Sequence, residues 1–343
     1  MKIVHVILTK HFAGSERYAV ELANAQARSH QVTVVLHADA AQARPDAIAH
    51  RLDSSVQRAF VSGLPMLAAW RARWLVDRIA PEIAHAHLSW ACKGIGGARR
   101  AGARVASLHI RYKPQQHAGL DGLIAIAPWQ LADVPASHLG LTCQIDNWTL
   151  AGKTDWAGRA RIRAQLGLDD NTHLVGTLSR CEHSKGLDVL LRAWPSCAGS
   201  GARLAIVGSG RDFSGLRKAA PPDVVMPGFV ADPAAWLAAF DTLVSPARSE
   251  PFGLSLLEAL ASGLPVLATA SEGAQHLAAW IGRPLVPVND SVALGNALRL
   301  HLQQSPARQY HDLGQFSINA RLPAFEDFYR RCLAGTDSLP SAA

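Results

Sequence analysis

The side chains best suited to chemistry gather in one short run, Arg248-Ser249-Glu250-Pro251-Phe252-Gly253-Leu254, with a second glutamate, Glu258, eight residues after the first. An apolar run ends near Val244, and a helix is expected from 254 to 261, stopped by Gly263 and Pro265. Glu250 then lies in the loop before that helix and Glu258 two turns inside it. Pro251, Phe252 and Gly253 leave bare backbone N–H groups at the helix N-terminus. Orphan N–H groups and the helix dipole both favour an anion there, a diphosphate above all. Glu258 is then suited to accept from a ribose diol, and Glu250 from hydroxyls of a sugar. Two glutamates at this spacing are ordinarily solvated helix-end charges. The Pro-Phe-Gly loop before them and the Ala-Ser-Gly-Leu-Pro-Val ending after them mark a site instead.

A second segment runs Gly176-Thr177-Leu178-Ser179-Arg180-Cys181-Glu182-His183-Ser184-Lys185-Gly186. An expected strand delivers Arg180, and Lys185 stands at the entrance of the next helix. Two cations converging on one phosphate would neutralise a departing diphosphate. Gly208 and Gly210 follow a third apolar run, and a tight glycine turn lets a ligand approach the backbone. As a dinucleotide fingerprint the motif fails, because Phe213 occupies the third glycine position. His85 and His87 sit two apart on one face of an expected strand. They read as structural, since a metal would need a third ligand. No Asp-x-Asp pair occurs, so no metal site is expected and the charge falls to Arg180, Lys185 and a helix terminus.

These residues need a scaffold that places strand ends and helix starts together. Short continuous apolar runs at 3–8, 32–36, 83–86, 105–108 and 123–126 alternate with helical stretches such as 15–28 and 91–101. The pattern restarts with runs at 174–178, 204–207, 224–226, 242–244 and 265–267. Uninterrupted apolar strands signal parallel sheets buried on both faces, so two doubly wound α/β units are expected. Asn147, Gly152 and Asp155 break the pattern, which puts the domain boundary near 148/149. Residues 1–148 form the expected first domain and 149–320 the second. A last helix within 321–343, carrying Phe325, Phe328 and Tyr329 on one side, is expected to pack back on the first.

The chain has 343 residues, 49% hydrophobic and 18% charged, which excludes a disordered protein. The opening apolar run is too short for a signal peptide and reads as a buried strand. Five scattered cysteines without a CxxC pair point to the reducing cytosol. The net charge of +7 is lopsided: residues 1–150 hold 16 Lys+Arg against 10 Asp+Glu. A basic first half suits an anionic surface, or is plain arginine decoration.

The Glu250 segment resembles the signature of retaining glycosyltransferase family 4, and the likeness extends over most of the chain, weakest at 38–75. It implies the GT-B fold, two Rossmann-like parallel-sheet domains facing across a cleft, with acceptor binding in the first and nucleotide-sugar binding in the second. It implies that Glu250 contacts the donor sugar, Glu258 the ribose, and Phe252, Gly253 and Leu254 the sugar and phosphate. Arg180 and Lys185 fall on the diphosphate, Gly208 and Gly210 beside the nucleotide, and Phe229 and Val230 near the base. Gly14 matches the second glycine of the family's first loop, with Ala13 replacing the first. Ser15 beside it also fits a helix N-cap. His109, ending the 105–108 run, matches a histidine that touches a sugar hydroxyl. Further departures are Cys181 where leucine is common, Trp148 where glycine is common and His276 where many members carry glutamate.

The expected activity is transfer of a hexosyl unit from a nucleotide-sugar, a UDP-sugar such as UDP-GlcNAc or UDP-glucose, to a lipopolysaccharide, O-antigen or other surface-glycan acceptor. No further cofactor is required and no nucleic-acid partner is expected. No nucleophilic carboxylate is apparent, so same-face attack is expected, with the leaving phosphate taking the acceptor proton and domain closure completing the site. A nucleotide-sugar 2-epimerase and an inactive binding module are the rival readings; a dinucleotide oxidoreductase leaves the Glu250 segment unexplained. Residues 67–79 hold Trp70, Trp74, Arg71, Arg73 and Arg78. They read first as a core-packed helix with exposed arginines, and alternatively as a peripheral contact with the inner face of the cell membrane.

Overall fold

The computed structural model describes residues 1–149 and 154–337, which divide into two units: 1–148 with 315–343, and 149–314. Each unit is built on one wholly parallel sheet.

The first sheet has seven strands: β1 (Lys2–Ile7), β2 (Gln31–His37), β3 (Gln57–Val61), β4 (Ile83–His87), β5 (Ala103–Leu108), β6 (Gly122–Ala125) and β7 (Leu141–Gln144). Their order is β3-β2-β1-β4-β5-β6-β7. The central strands are buried along almost their whole length, as runs such as Ile3-Val4-His5-Val6-Ile7 require. The two edge strands have no such run. Gln57 and Arg58 in β3, and Leu141, Thr142 and Gln144 in β7, are exposed, so no apolar signal marks them in the sequence.

The second sheet has five strands: β8 (Leu174–Leu178), β9 (Arg203–Val207), β10 (Val224–Gly228), β11 (Thr242–Ser245) and β12 (Val266–Ala268), ordered β10-β9-β8-β11-β12. Chain direction around the sheet reverses between β1 and β4 in the first unit and between β8 and β11 in the second. In a doubly wound sheet such a switch point opens a crevice at the carboxyl ends of the strands. Two doubly wound parallel-sheet α/β units are what the alternating apolar runs lead us to expect.

Helix α1 (Gly14–Gln26) starts one residue earlier than its apolar period suggests, with Ala13 as N-cap. Ser15 is therefore not the cap. It lies inside the first turn, where the Glu16 carboxylate accepts from its hydroxyl at 3.0 Å and from the Ala13 N–H at 3.1 Å. The helix expected at 91–101 is Ser89–Ile95, cut short by Gly96 and Gly97. Helix α2 (Pro65–Ile79) turns Ala68, Ala69, Ala72 and Val76 inward, and leaves Leu64, Met66, Leu67, Trp70 and Trp74 exposed. Its core face is made of small residues, in keeping with a core-packed helix with exposed arginines, while its tryptophans stand on the outside with those arginines.

The last helix, Ile318–Asp337, buries Phe325, Phe328 and Tyr329. The segment grouped with the first unit begins at Gln315 rather than 321, and Phe316 is already buried within it. Trp148, the departure from glycine, is a core residue 1% exposed. It stacks on Tyr18 at 4.4 Å, meets Phe325 edge-on at 6.1 Å, and donates its Nε1–H to Glu21 at 2.6 Å. The tail 338–343 and the Gly152 position lie outside the described residues.

Candidate functional site

The switch point of the second sheet sets two loops side by side: Ser179–Lys185 after β8 and Pro246–Gly253 after β11. Backbone bonds join them, Arg248 and Ser249 N–H both donating to the Ser184 carbonyl, at 2.8 and 3.1 Å. The Arg248 guanidinium grips the Asp188 carboxylate with two bonds of 2.7 Å, which holds that carboxyl well below its usual range. Across this joint Lys185 Nζ donates to Glu250 Oε2 at 2.7 Å, and both side chains keep less than a fifth of their surface exposed. One ammonium proton is used on Glu250, so Lys185 retains donors for an anion.

Glu250 is over-determined. Its Oε1 accepts from Gly253 N–H at 3.3 Å, its own N–H donates to Glu272 Oε2 at 3.2 Å, and its carbonyl accepts from Gly273 N–H at 2.7 Å. Gly253 caps the helix Leu254–Ala261 at φ 90°, a left-handed conformation open to glycine. Phe252 is buried, with His276 5.5 Å from its ring, so the helix N-terminus stands on a fixed apolar peg. Leu254 opens the helix and Glu258, half-buried, lies one turn on rather than the expected two, because four residues make about one helical turn. Arg180 leans out from the first loop with 62% of its side chain exposed and pairs with Glu182 at 2.9 Å.

The Gly208–Gly210 turn after β9 lies directly on the Arg180 loop. Ser179 N–H donates to Val207 O and Cys181 N–H to Ser209 O. Gly208 has φ 137°, and a Cβ there would stand 1.9 Å from the Ser179 carbonyl oxygen. Phe229 follows β10 and is 53% exposed, with Val230 beside it half-buried. Arg180, Lys185, Glu250, Phe252, Gly253, Leu254 and Glu258 thus share the β8/β11 switch point, with Gly208 and Gly210 zipped to its rim. Phe229 and Val230 belong to the next strand outward.

The remaining expected residues lie in the first unit. Gly14 is the first residue of α1. His109 follows β5; it is 9% exposed, and burial lowers its imidazole to about 3, so it is neutral at ordinary pH. Tyr18 stands edge-on to it at 4.8 Å, and its Nε2 is 3.3 Å from His87 Nδ1. The third histidine that the His85–His87 pair lacked is present after all. His5 on β1 is paired in register with His85, and ligand atoms of all three lie within 4.8 Å of one another.

Two supports of the site escaped the sequence reading. Glu272 and Gly273 fasten the Glu250 backbone, and Arg248 with Asp188 ties the two loops together. The Glu272-Gly273 pair was a visible signal; the Arg248–Asp188 contact spans 60 residues and leaves none.

The comparisons with known proteins agree with this geometry. Residues 12–134 match the model of Glycosyltransferase Family 4, and residues 171–304 that of Glycosyl transferases group 1. A glycogen synthase of Rhodopseudomonas palustris is 35% identical over 173 residues, 45% of this chain. The match spans about a third of that relative's length, 35%. Among solved structures, Anabaena HepE in complex with UDP-glucose superposes with a TM-score of 0.75 at 21% identity, covering 99% of this chain and all of that one. WaaG, a glycosyltransferase involved in lipopolysaccharide biosynthesis, superposes at 0.68 and 18%, covering 99% of this chain and 100% of WaaG.

Proposed function

We propose that this chain, which belongs to the family 4 (group 1) glycosyltransferases, is a retaining hexosyl transferase that moves a sugar from a UDP-sugar to a surface-glycan acceptor, without a metal ion. The observation that carries this is the Lys185–Glu250 pair held beside the N-terminus of the Leu254–Ala261 helix. That arrangement offers an ammonium and backbone N–H groups to the diphosphate, and a carboxylate to the sugar hydroxyls. Arg180 adds a second cation, Glu258 receives the ribose diol, Phe252, Gly253 and Leu254 line the sugar and phosphate, Gly208 and Gly210 admit the nucleotide, and the base rests near Phe229 and Val230. Uridine is favoured because HepE was solved with UDP-glucose, and a lipopolysaccharide-type acceptor because WaaG serves that synthesis.

In the proposed step the acceptor oxygen bonds to the anomeric carbon on the face that the diphosphate leaves. The carbon–oxygen bond to phosphate breaks, and the acceptor proton goes to the departing phosphate oxygen. Lys185, Arg180 and the helix terminus stabilise the charge that develops there. His109, as a neutral imidazole, accepts from a sugar hydroxyl, and Gly14 lets donor phosphate or acceptor approach the backbone.

The protein is further proposed to work in the cytosol against the inner face of the membrane. No helix of the described residues is long and apolar enough to cross one. The support is the outer face of α2: Leu64, Met66, Leu67, Trp70 and Trp74 are exposed together, with Arg78 over the Trp74 ring at 5.3 Å. Apolar rings flanked by arginines fit an anionic interface.

A thermal-shift screen against UDP-, GDP-, ADP- and dTDP-sugars tests the donor reading. The expected result is a rise with UDP-sugars that persists in EDTA and is lost in Lys185→Ala and Glu258→Ala. No rise with any nucleotide sugar would overturn it, and release of free UDP without a glycosylated product would favour an epimerase. For the membrane, Trp70→Ser with Trp74→Ser should abolish flotation with anionic vesicles at low salt.

A further inference from the structure

The polar interior of the first unit holds more ordered chemistry than the proposed reaction uses. Gln26, at the end of α1, is 1% exposed, and both ends of its amide are engaged. Its Oε1 is 2.8 Å from His5 Nε2, and its Nε2 donates to the Tyr329 hydroxyl at 3.3 Å. From this amide two chains of hydrogen bonds run through the core.

The first chain ends at His109. An amide oxygen has no proton to give, so His5 Nε2 carries one and donates it. Burial holds His5 near 4 and His85 and His87 well below their usual range, so the rings are neutral and His5 Nδ1 is bare. His87 Nε2, 3.0 Å away, must then be the donor to it, which leaves His87 Nδ1 bare. His109 Nε2, 3.3 Å from that nitrogen, carries the next proton. What remains is His109 Nδ1, a lone pair with no hydrogen-bond partner among the described residues, on the ring that retains 9% exposure.

The second chain follows the same logic. Tyr329 accepts from Gln26 and donates to His85 Nδ1 at 2.7 Å; His85 Nε2 donates to Ser107 Oγ at 2.9 Å; Ser107 meets the Tyr18 hydroxyl at 2.9 Å. All four ring nitrogens of His5 and His85, and both of His87, are thereby satisfied. The trio within metal-binding distance is a closed hydrogen-bond network, and none of its bonds goes to a carboxylate that would balance a buried dication.

We propose that Gln26, His5 and His87 are positioning residues for His109: one buried amide decides which nitrogen of His109 carries the proton, and presents Nδ1 as an acceptor. The ligand for that lone pair is a hydroxyl of the transferred sugar. This last step rests on the proposed transferase reading; the proton order does not.

The test uses the full chain labelled with ¹⁵N-histidine, without nucleotide, at neutral pH. Two-bond ¹H–¹⁵N spectra should show His5, His87 and His109 all protonated at Nε2. A proton on His109 Nδ1, a mixed tautomer or an imidazolium would overturn the proposal, whatever the protein turns over. So would one equivalent of bound metal whose removal by chelator shifts the His5, His85 and His87 signals. Gln26→Glu separates the chains, because a carboxylate still accepts from His5 but also takes the Tyr329 proton. It should keep the His109 tautomer while moving the His85 proton to Nδ1. Gln26→Leu should give mixed His109 tautomers and about a tenfold lower kcat, with KM for the donor little changed. If Gln26→Leu does not fold, the wild-type spectrum alone decides. Pure Nε2 protonation of His109 persisting in Gln26→Leu would also overturn it.

Discussion

The site loops of the second unit and the buried histidine network of the first handle polar groups in opposite ways. In the second, the polar side chains of the site stand on loops at strand ends, charged and part-exposed, with Lys185 on Glu250, Arg248 on Asp188 and Arg180 turned outward. In the first, His5, His85 and His87 are wholly buried in the strands themselves and His109 nearly so, neutral, and paired with Gln26, Ser107, Tyr329 and one another. Loop charges can bind an anion without supporting the fold. A buried neutral network supports the fold and holds its geometry, because each broken bond leaves a polar group in a dry core. Substitutions should therefore cost turnover on those loops and stability in that network.

The sharpest test is Trp148→Ala. The indole is fully buried between Tyr18 and Phe325 and is the donor to Glu21, so the cavity should cost roughly 3–5 kcal/mol, read as a lower denaturant midpoint. Lys185→Ala comes next. It should lower kcat about 10²–10³-fold, equivalent to about 3–4 kcal/mol in the transition state, with a smaller change in unfolding. A Lys185 variant that unfolds as readily as the Trp148 variant would break the contrast.

Acid should weaken the first unit through its buried histidines. His5 and His109 titrate near 6.5 when unfolded and near 4 and 3 when folded. The unfolded chain therefore binds protons first as pH falls. Their stabilisation is complete above pH 6.5 and is lost on the way down towards pH 4, by about 1.4 kcal/mol per pH unit for each histidine. His109→Asn should flatten that slope by one histidine's share in a pH series of unfolding curves.

Much of the second unit was legible because its signals are local. The helix Leu254–Ala261 was read to the residue, since a glycine cap precedes it and Gly263 follows it. Arg180 and Lys185 lie within seven residues of the end of their strand. In the first unit the polar network depends on register. His5 meets His85 and His87 only because β1 pairs with β4, and Gln26 reaches His5 across the α1 crossover. No spacing along the chain announces such contacts. The edge strands β3 and β7 were invisible for another reason: an edge needs no continuous apolar run, and neither has one. The outward tryptophans of α2 were not announced by the sequence because tryptophan ordinarily packs inward. Four small or β-branched residues, Ala68, Ala69, Ala72 and Val76, already fill that face.

The smallest expected effect on stability is the most informative about the site. Arg180 is largely exposed, and its partner Glu182 lies only two residues away on the same loop. An exposed pair of this kind contributes little to folding, because solvent screens it and holding two long side chains together costs entropy. Arg180→Ala should change the unfolding free energy by no more than about 0.5 kcal/mol. The same change removes one of two cations assigned to the diphosphate, so turnover should fall by about 10². Arg180→Lys keeps the charge but loses the planar fork, and should recover part of it. If Arg180→Ala leaves turnover intact while Lys185→Ala abolishes it, the diphosphate rests on Lys185 and the helix terminus alone, and Arg180 is surface decoration.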